Sequence, residues 1–342
     1  MNLSERKLKI LQAIIGDFIH SAEPVGSRTL SKKYNMGISP ATIRNEMSDL
    51  EEMGFLTHPH TSAGRIPSDK AYRLYVNMLM EECDLPQNEK AIIEDKIKDN
   101  MFELEKTIEK AVSLVSELTN LTSFATTPRT DEDKLKYINI LPVDENTVVL
   151  MIVAESGKVS NTVLHTKVDY TLESLELLSK NMTYNYKGKS ISNILTLDII
   201  KNFQTDIEAL AKIASDIIPN FLSTLENMLN VNLFTEGLAN IFSIPEYCDI
   251  GKAENFIKIM QEKEKFRDVL SSRGDGFLIT IGGENGEETL KDCSLITCDY
   301  KVNGEFVGKL GVIGPTRMEY AHVTSVIRYV TDNISEVFKI EE

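Results

Sequence analysis

No apolar run in this 342-residue chain approaches the roughly 18 residues that a membrane-crossing helix needs. The start, MNLSERKLKI, lacks the apolar core of a signal peptide, so a cytoplasmic location with no membrane partner is expected. Only four cysteines occur, Cys83, Cys248, Cys293 and Cys298, with no C-x-x-C pair, which argues against a disulfide framework and a zinc knuckle. They are expected to be reduced and mostly buried. Catalytic signatures are missing as well: there is no G-x-S-x-G and no H-E-x-x-H. GKLGVIG spaces its glycines three apart, without the G-x-G-x-x-G pattern that lets a helix N-terminus hold pyrophosphate. GGENGEE is glycine-rich, but Glu284, Glu287 and Glu288 would repel phosphate there. His58 and His60 form an H-x-H pair that no nearby Cys or Asp completes into a metal set. The chain is therefore expected to be no enzyme and to hold neither cofactor nor metal.

What is present is a large apolar fraction, 42%, with 26% charged residues, over a length that exceeds one typical domain. A multidomain globular protein follows. The formal charge of −15 is unevenly spread. Residues 1–80 hold ten Lys or Arg against eight Asp or Glu, so the remainder carries −17. Residues 24–45 contain Arg28, Lys32, Lys33 and Arg44 with no acid, and residues 53–68 contain Arg65 with no acid. The acids Glu46, Asp49, Glu51 and Glu52 sit between those two segments.

The N-terminal pattern predicts three helices and a hairpin. Leu8, Leu11, Ile14, Ile15, Phe18 and Ile19 repeat at helical spacing, and the segment His20-Ser21 before Glu-Pro ends that helix. A short second helix can begin with Ser27 as its cap and turn Leu30 inward. The third is bounded by Ser39 as N-cap, Pro40 in the first turn and Gly54 at the exit. Ile43, Met47 and Leu50 form its inward stripe, which leaves Ala41, Asn45 and Ser48 outward, flanked by Thr42 and Arg44. Small residues mixed with Asn and Arg suit adenine and guanine edges in a major groove, so Ala41, Thr42, Arg44, Asn45 and Ser48 are the expected base readers of double-stranded DNA. The hairpin FLTHPHTSAGRIP, with Gly64 at a tight tip, would bring His58, His60 and Arg65 to the backbone, alongside Ser27, Arg28, Lys32 and Lys33. The plain alternative is that any amphipathic helix exposes polar residues and any surface hairpin is polar. The ordered combination of capped helix, hairpin and segregated charge favours DNA.

SPATIRNEMSDLEEMGFL followed by PHTSAGRIPSDKAYRLYV closely resembles the N-terminal signature of the HrcA family, the heat-inducible transcription repressors of bacteria. The resemblance continues through TEGLANIFSIPEY at 235–247, IGGEN at 281–285 and GKLGVIGPTRMEY at 308–320, and so spans essentially the whole chain. It implies an α+β multidomain fold: an N-terminal winged helix-turn-helix, then a GAF-like antiparallel-sheet domain interrupted by an inserted α/β dimerising domain. It further implies a homodimer on an inverted-repeat operator before chaperone operons, inactivation by heat, and the chaperonin GroEL as modulator. Expected domains are 1–84 for DNA binding, 85–170 for the first GAF-like part with its long linking helix, 171–255 for the insertion and 256–342 for the second GAF-like part.

Downstream patterns can be read without that resemblance. Ser68 to about Glu82 predicts a helix with Tyr72, Tyr75, Val76 and Leu79 inward, ended by Asp84-Leu85-Pro86. A helix over about Asn88–Leu121 carries a heptad seam of Ile97, Met101, Leu104, Ile108, Ala111, Val115 and Leu118, which serves either a partner helix or the chain's own sheet. Three strands joined by short turns follow over 136–166, then helices over 171–182 and 206–228. Strands return at GFLITIG, CSLITCDYKV and EFVGKLGVIG. A last helix is expected from Thr316 with Glu319 completing a capping box. Two functions remain in view: a dimeric sequence-specific repressor, and a metabolite-sensing regulator using a GAF-like pocket. An enzyme stays a weak third.

Overall fold

The computed structural model describes residues 3–34, 36–59, 64–81, 83–98, 104–126, 133–155, 158–197, 199, 208–229, 232–302 and 305–339. They form two compact units, one of 1–127 with 233–342 and one of 128–232. The architecture is mixed α and β with antiparallel sheets throughout.

The first unit begins with a helical head: α1 (Glu5–Ser21), α2 (Ser27–Lys33) and α3 (Pro40–Glu52), then strands β1 (Leu56–Thr57) and β2 (Ile66–Pro67). Ile10, Leu11, Ile14, Leu30, Ile43, Met47 and Leu50 are buried together, as their helical spacing requires. Gly26 occupies the cap position of α2, and Ser27 is its first helical residue without a side-chain cap bond, which corrects the expected cap. α3 behaves as read: the Ser39 hydroxyl accepts from the Thr42 N–H at 3.2 Å, and Pro40 opens the first turn. Its exit is a Schellman turn, with Gly54 at φ +78, the Gly54 N–H on Glu51 O and the Phe55 N–H on Leu50 O, both at 2.9 Å. Helix α4 (Asp69–Leu74) follows and widens into a π-helical turn over Tyr75–Leu79.

The rest of this unit is a five-stranded sheet in the order β7-β3-β10-β9-β8, from β3 (Thr122–Thr126), β7 (Leu233–Glu236), β8 (Leu278–Ile281), β9 (Cys293–Val302) and β10 (Glu305–Pro315). Strand alternation splits its side chains between two cores. Ile296, Leu310 and Val312 join the head's cluster with α5 (Gln87–Lys98), α6 (Leu104–Thr119) and α12 (Tyr320–Val337). Phe124, Leu295 and Ile313 face α10 (Ile250–Gln261) and α11 (Lys263–Ser271), where Phe124 meets Phe266 edge-on at 5.1 Å. The heptad seam thus has its answer for the described residues. Ile97, Ile108, Ala111 and Val115 are buried in the chain's own core, so they do not serve a partner helix; Met101 lies outside the described residues. The capping box at Thr316 does not form: α12 starts at Tyr320, and Glu319 makes no side-chain cap bond. Thr316 O instead accepts the Tyr320 hydroxyl at 2.6 Å, and Arg317 is drawn away to Ile19 O and Glu246.

The second unit is a meander of β4 (Leu135–Asp144), β5 (Thr147–Ala154) and β6 (Val159–His165), packed on α7 (Leu172–Tyr186), α8 (Ile191–Leu195) and α9 (Glu208–Leu229). Ile138, Ile140, Leu150, Ile152 and Leu164 point to these helices. The other face follows from the register. Tyr137, Val153 and Val159 form one row, Asn139, Met151 and Asn161 the next, and Leu141, Val149 and Val163 the third. None of the nine is charged, and no described element covers them: Val159 is 55% and Val163 63% exposed.

Candidate nucleic-acid interface

Ala41, Arg44, Asn45 and Ser48 are exposed along one side of α3, while Ile43 and Leu50 are fully buried on the other. Thr42 is half-buried, with its hydroxyl 3.0 Å from that of Ser39. The first turn of the helix contains no acid, so its partial positive charge stays available to an anion.

Three of the four acids of α3, Glu46, Asp49 and Glu51, are paired inside the head, which the sequence did not reveal. Lys7 of α1 donates to Glu46 at 2.7 Å and to Asp49 at 2.8 Å. These two hydrogen bonds, the one to Asp49 the stronger influence, push the Lys7 ammonium above its ordinary pKa. Glu51 accepts from Arg65 Nε at 2.7 Å and pairs with His58. Burial alone would raise the Glu51 carboxyl, but the His58 hydrogen bond and the Arg65 charge outweigh it and hold the group below its ordinary value. No spacing signal announces contacts that cross about 40 residues between separate helices.

The remaining cations divide by partner. Lys33 donates at 2.6 Å to Asp17, which also accepts the Tyr34 hydroxyl at 2.8 Å and is only 6% exposed. Arg28, Lys32 and Arg44 are exposed and form no ion pair among the described residues. Ser27 is half-buried at the start of α2, and His60 lies outside the described residues. Arg65 and Val25 exchange both backbone hydrogen bonds at 2.9 Å, pinning the hairpin base to the start of α2.

Gly64 serves that bridge and not a tight tip, because a Cβ there would lie 2.5 Å from the Val25 backbone. Gly64→Ala must part Val25 from Arg65, and is expected to destabilise the chain by about 1–3 kcal/mol. Urea unfolding followed by circular dichroism checks this; an unchanged midpoint and slope would refute it.

Among the described residues no group of three His, Cys, Asp or Glu could hold a metal, and no described helix is long and apolar enough to cross a membrane.

Fold and surface together define an α/β protein of antiparallel sheets whose N-terminal helices present one solvated helix face cleared of free acid in its first half. The family described as HrcA protein C terminal domain matches residues 105–324. The heat-inducible transcription repressor HrcA of Alkaliphilus metalliredigens is 42% identical over 344 residues, covering 99% of each chain. The chain belongs to the HrcA family of heat-inducible transcription repressors. Its namesake in Clostridium acetobutylicum is 40% identical, covering 98% of this chain and 97% of that one. The crystal structure of a hypothetical protein, 24% identical, superimposes with a TM-score of 0.68 over 98% of this chain and 99% of its own, a likeness of fold.

Proposed function

We propose that this chain represses chaperone operons by binding an inverted-repeat operator in double-stranded DNA as a homodimer. One observation carries the reading: α3 offers Ala41, Arg44, Asn45 and Ser48 to solvent while Lys7 and Arg65 absorb the acids beside them. In this reading residues 1–84 act as a winged helix, with α3 in the major groove and the β1–β2 hairpin as the wing. Ala41, Thr42, Arg44, Asn45 and Ser48 read bases, while Arg28, Lys32 and the hairpin residues His58, His60 and Arg65 meet phosphate. Ser27 and Lys33 border the same surface. The five-stranded body is the GAF-like part, and unit 128–232, in place of the insertion expected over 171–255, supplies the dimer contact. Its open sheet face suits a second copy, since seven of the nine side chains in those three rows are apolar and none of the nine is charged, with Thr147 and His165 in the row beyond. A single head buries too little DNA surface for tight selective binding, whereas two heads joined through that face bind with a high effective concentration.

A gel-shift titration on an inverted-repeat fragment of a chaperonin promoter tests this. The intact repeat is expected to bind at least about 1,000-fold more tightly than a scrambled one. Mild heating should remove operator binding in step with the dimer, and GroEL with ATP should raise the active fraction. Equal affinity for both fragments would refute the reading. A second reading, metabolite sensing, has a cleft of about 880 Å³ lined in part by Met80, Lys90, Phe277, Arg328 and Asp332. It prevails if a small molecule releases the DNA while heat and GroEL change nothing.

A further inference from the structure

The head does not hang from the body by a bare linker. Helix α4 grips on two sides. Toward the head, the Ser68 hydroxyl that caps it donates to Gly54 O at 2.7 Å, and Lys70 donates to Met53 O at 2.8 Å while lying 4.4 Å from the Phe55 ring centre. Toward the body, Arg73 donates to Ile279 O at 2.6 Å and to Glu284 Oε1 at 2.8 Å through Nε, and its Nη2 also reaches the second oxygen of Glu284. The neighbouring Asp69 carboxylate accepts from the Gly283 N–H at 3.3 Å.

A second anchor engages the end of α1. Arg317 donates to Ile19 O at 2.5 Å and forks onto both oxygens of Glu246, one of them at 3.0 Å. Between the two anchors the rings of Tyr72 and Tyr320 stand 5.9 Å apart.

We propose that Arg73, Asp69 and Arg317 are positioning residues that fix the angle of the head on the sheet body and so set the half-site spacing the protein accepts. The proposal rests on the DNA-binding reading given above. Apolar contact between head and body is non-directional and tolerates sliding, whereas a guanidinium forked onto a carboxylate fixes direction. The Arg73–Glu284 fork and the Arg317 bond to Ile19 O, the latter aimed by the fork onto Glu246 inside the body, tie the head at two separate points and so fix a rotation. In a two-fold dimer, that rotation decides where the two α3 helices stand along the duplex. Gly282 shows how tightly one anchor is built: its φ is +55, and a Cβ on it would fall 1.9 Å from Asp69 Oδ2. This glycine belongs to IGGEN, a motif that no base or phosphate contact explains.

The test uses the full-length protein on duplexes whose two half-sites keep their native spacing or are moved apart by about half a turn, roughly 5 base pairs. A duplex carrying one half-site is the control for a folded head. The unsubstituted protein is expected to lose about tenfold or more in affinity on the half-turn duplex. The combined R73Q and R317Q variant should remain dimeric in sedimentation and bind the single half-site as before, but lose less than about threefold on the half-turn duplex. G282A, which removes no charge, should do the same. Joining R73E to E284R should restore the steep dependence that R73E alone abolishes. If the double variant fails to fold, E284Q, at an exposed carboxylate, carries the same comparison. Variants that fold, dimerise and keep the full spacing dependence would overturn the proposal, as would an unsubstituted protein indifferent to spacing. Failure of that protein to bind any inverted repeat would instead refute the DNA-binding reading.

Discussion

Asn45→Ala is expected to weaken operator binding by about 1–3 kcal/mol, between about fivefold and 150-fold, while leaving random DNA nearly unaffected. Asn45 is exposed midway along α3, and its amide makes no hydrogen bond among the described residues, so truncation removes nothing the fold uses. What it removes is a paired donor and acceptor of the kind that matches an adenine edge. Arg44→Ala should behave alike at a guanine. Lys32→Ala supplies the contrast: a phosphate contact counts equally on every sequence, so both DNAs should weaken and the slope of log affinity against log salt should flatten by about one. Competition gel shifts with operator and random duplexes across a salt series separate the two patterns. Equal loss on both DNAs for Asn45→Ala would sink the assignment of α3 as reader.

Val163→Glu is expected to break the dimer and, with it, to reduce operator affinity by at least about 100-fold, while the monomer stays folded. Val163 is 63% exposed on the outer row with Leu141 and Val149, so a carboxylate there meets water in the monomer and costs it little. Across a two-fold contact the same change buries two unpaired charges against apolar side chains, at several kcal/mol for each. Sedimentation velocity reads the assembly, and a gel shift on the inverted repeat reads the consequence. A variant that sediments as a dimer would place the contact elsewhere on the chain.

The head was legible because its signals are local. Ser39, Pro40 and Gly54 mark the ends of α3 through bonds within its own first and last turns, and the stripe of Ile43, Met47 and Leu50 gives its orientation. The strands over 135–165 were legible for the same reason, as alternation joined by short turns. Contacts distant in sequence were not. The heptad seam fits a partner helix and an internal sheet equally well, and only the placement of Val312 and Val323 beside it decides. Gly64 reads as a turn glycine until Val25 is found against it. Thr316 and Glu319 have capping-box spacing, but the pull of Ile19 O and Glu246 on Arg317 is absent from any local pattern. The neutralisation of Glu46, Asp49 and Glu51 by Lys7, His58 and Arg65 falls in the same class.

That neutralisation bears on how the operator and the protein can change over time. Ala41, Arg44, Asn45 and Ser48 make no ion pair among the described residues, whereas Lys7 holds Glu46 and Asp49, and Arg65 holds Glu51. With α3 as the proposed reader, drift at the first four positions would alter which address is recognised and leave the frame standing. Drift at the second five tilts the frame whatever the address. A lineage can therefore retune its promoters by exchanging a few outward side chains, one base pair at a time, without passing through an unfolded repressor.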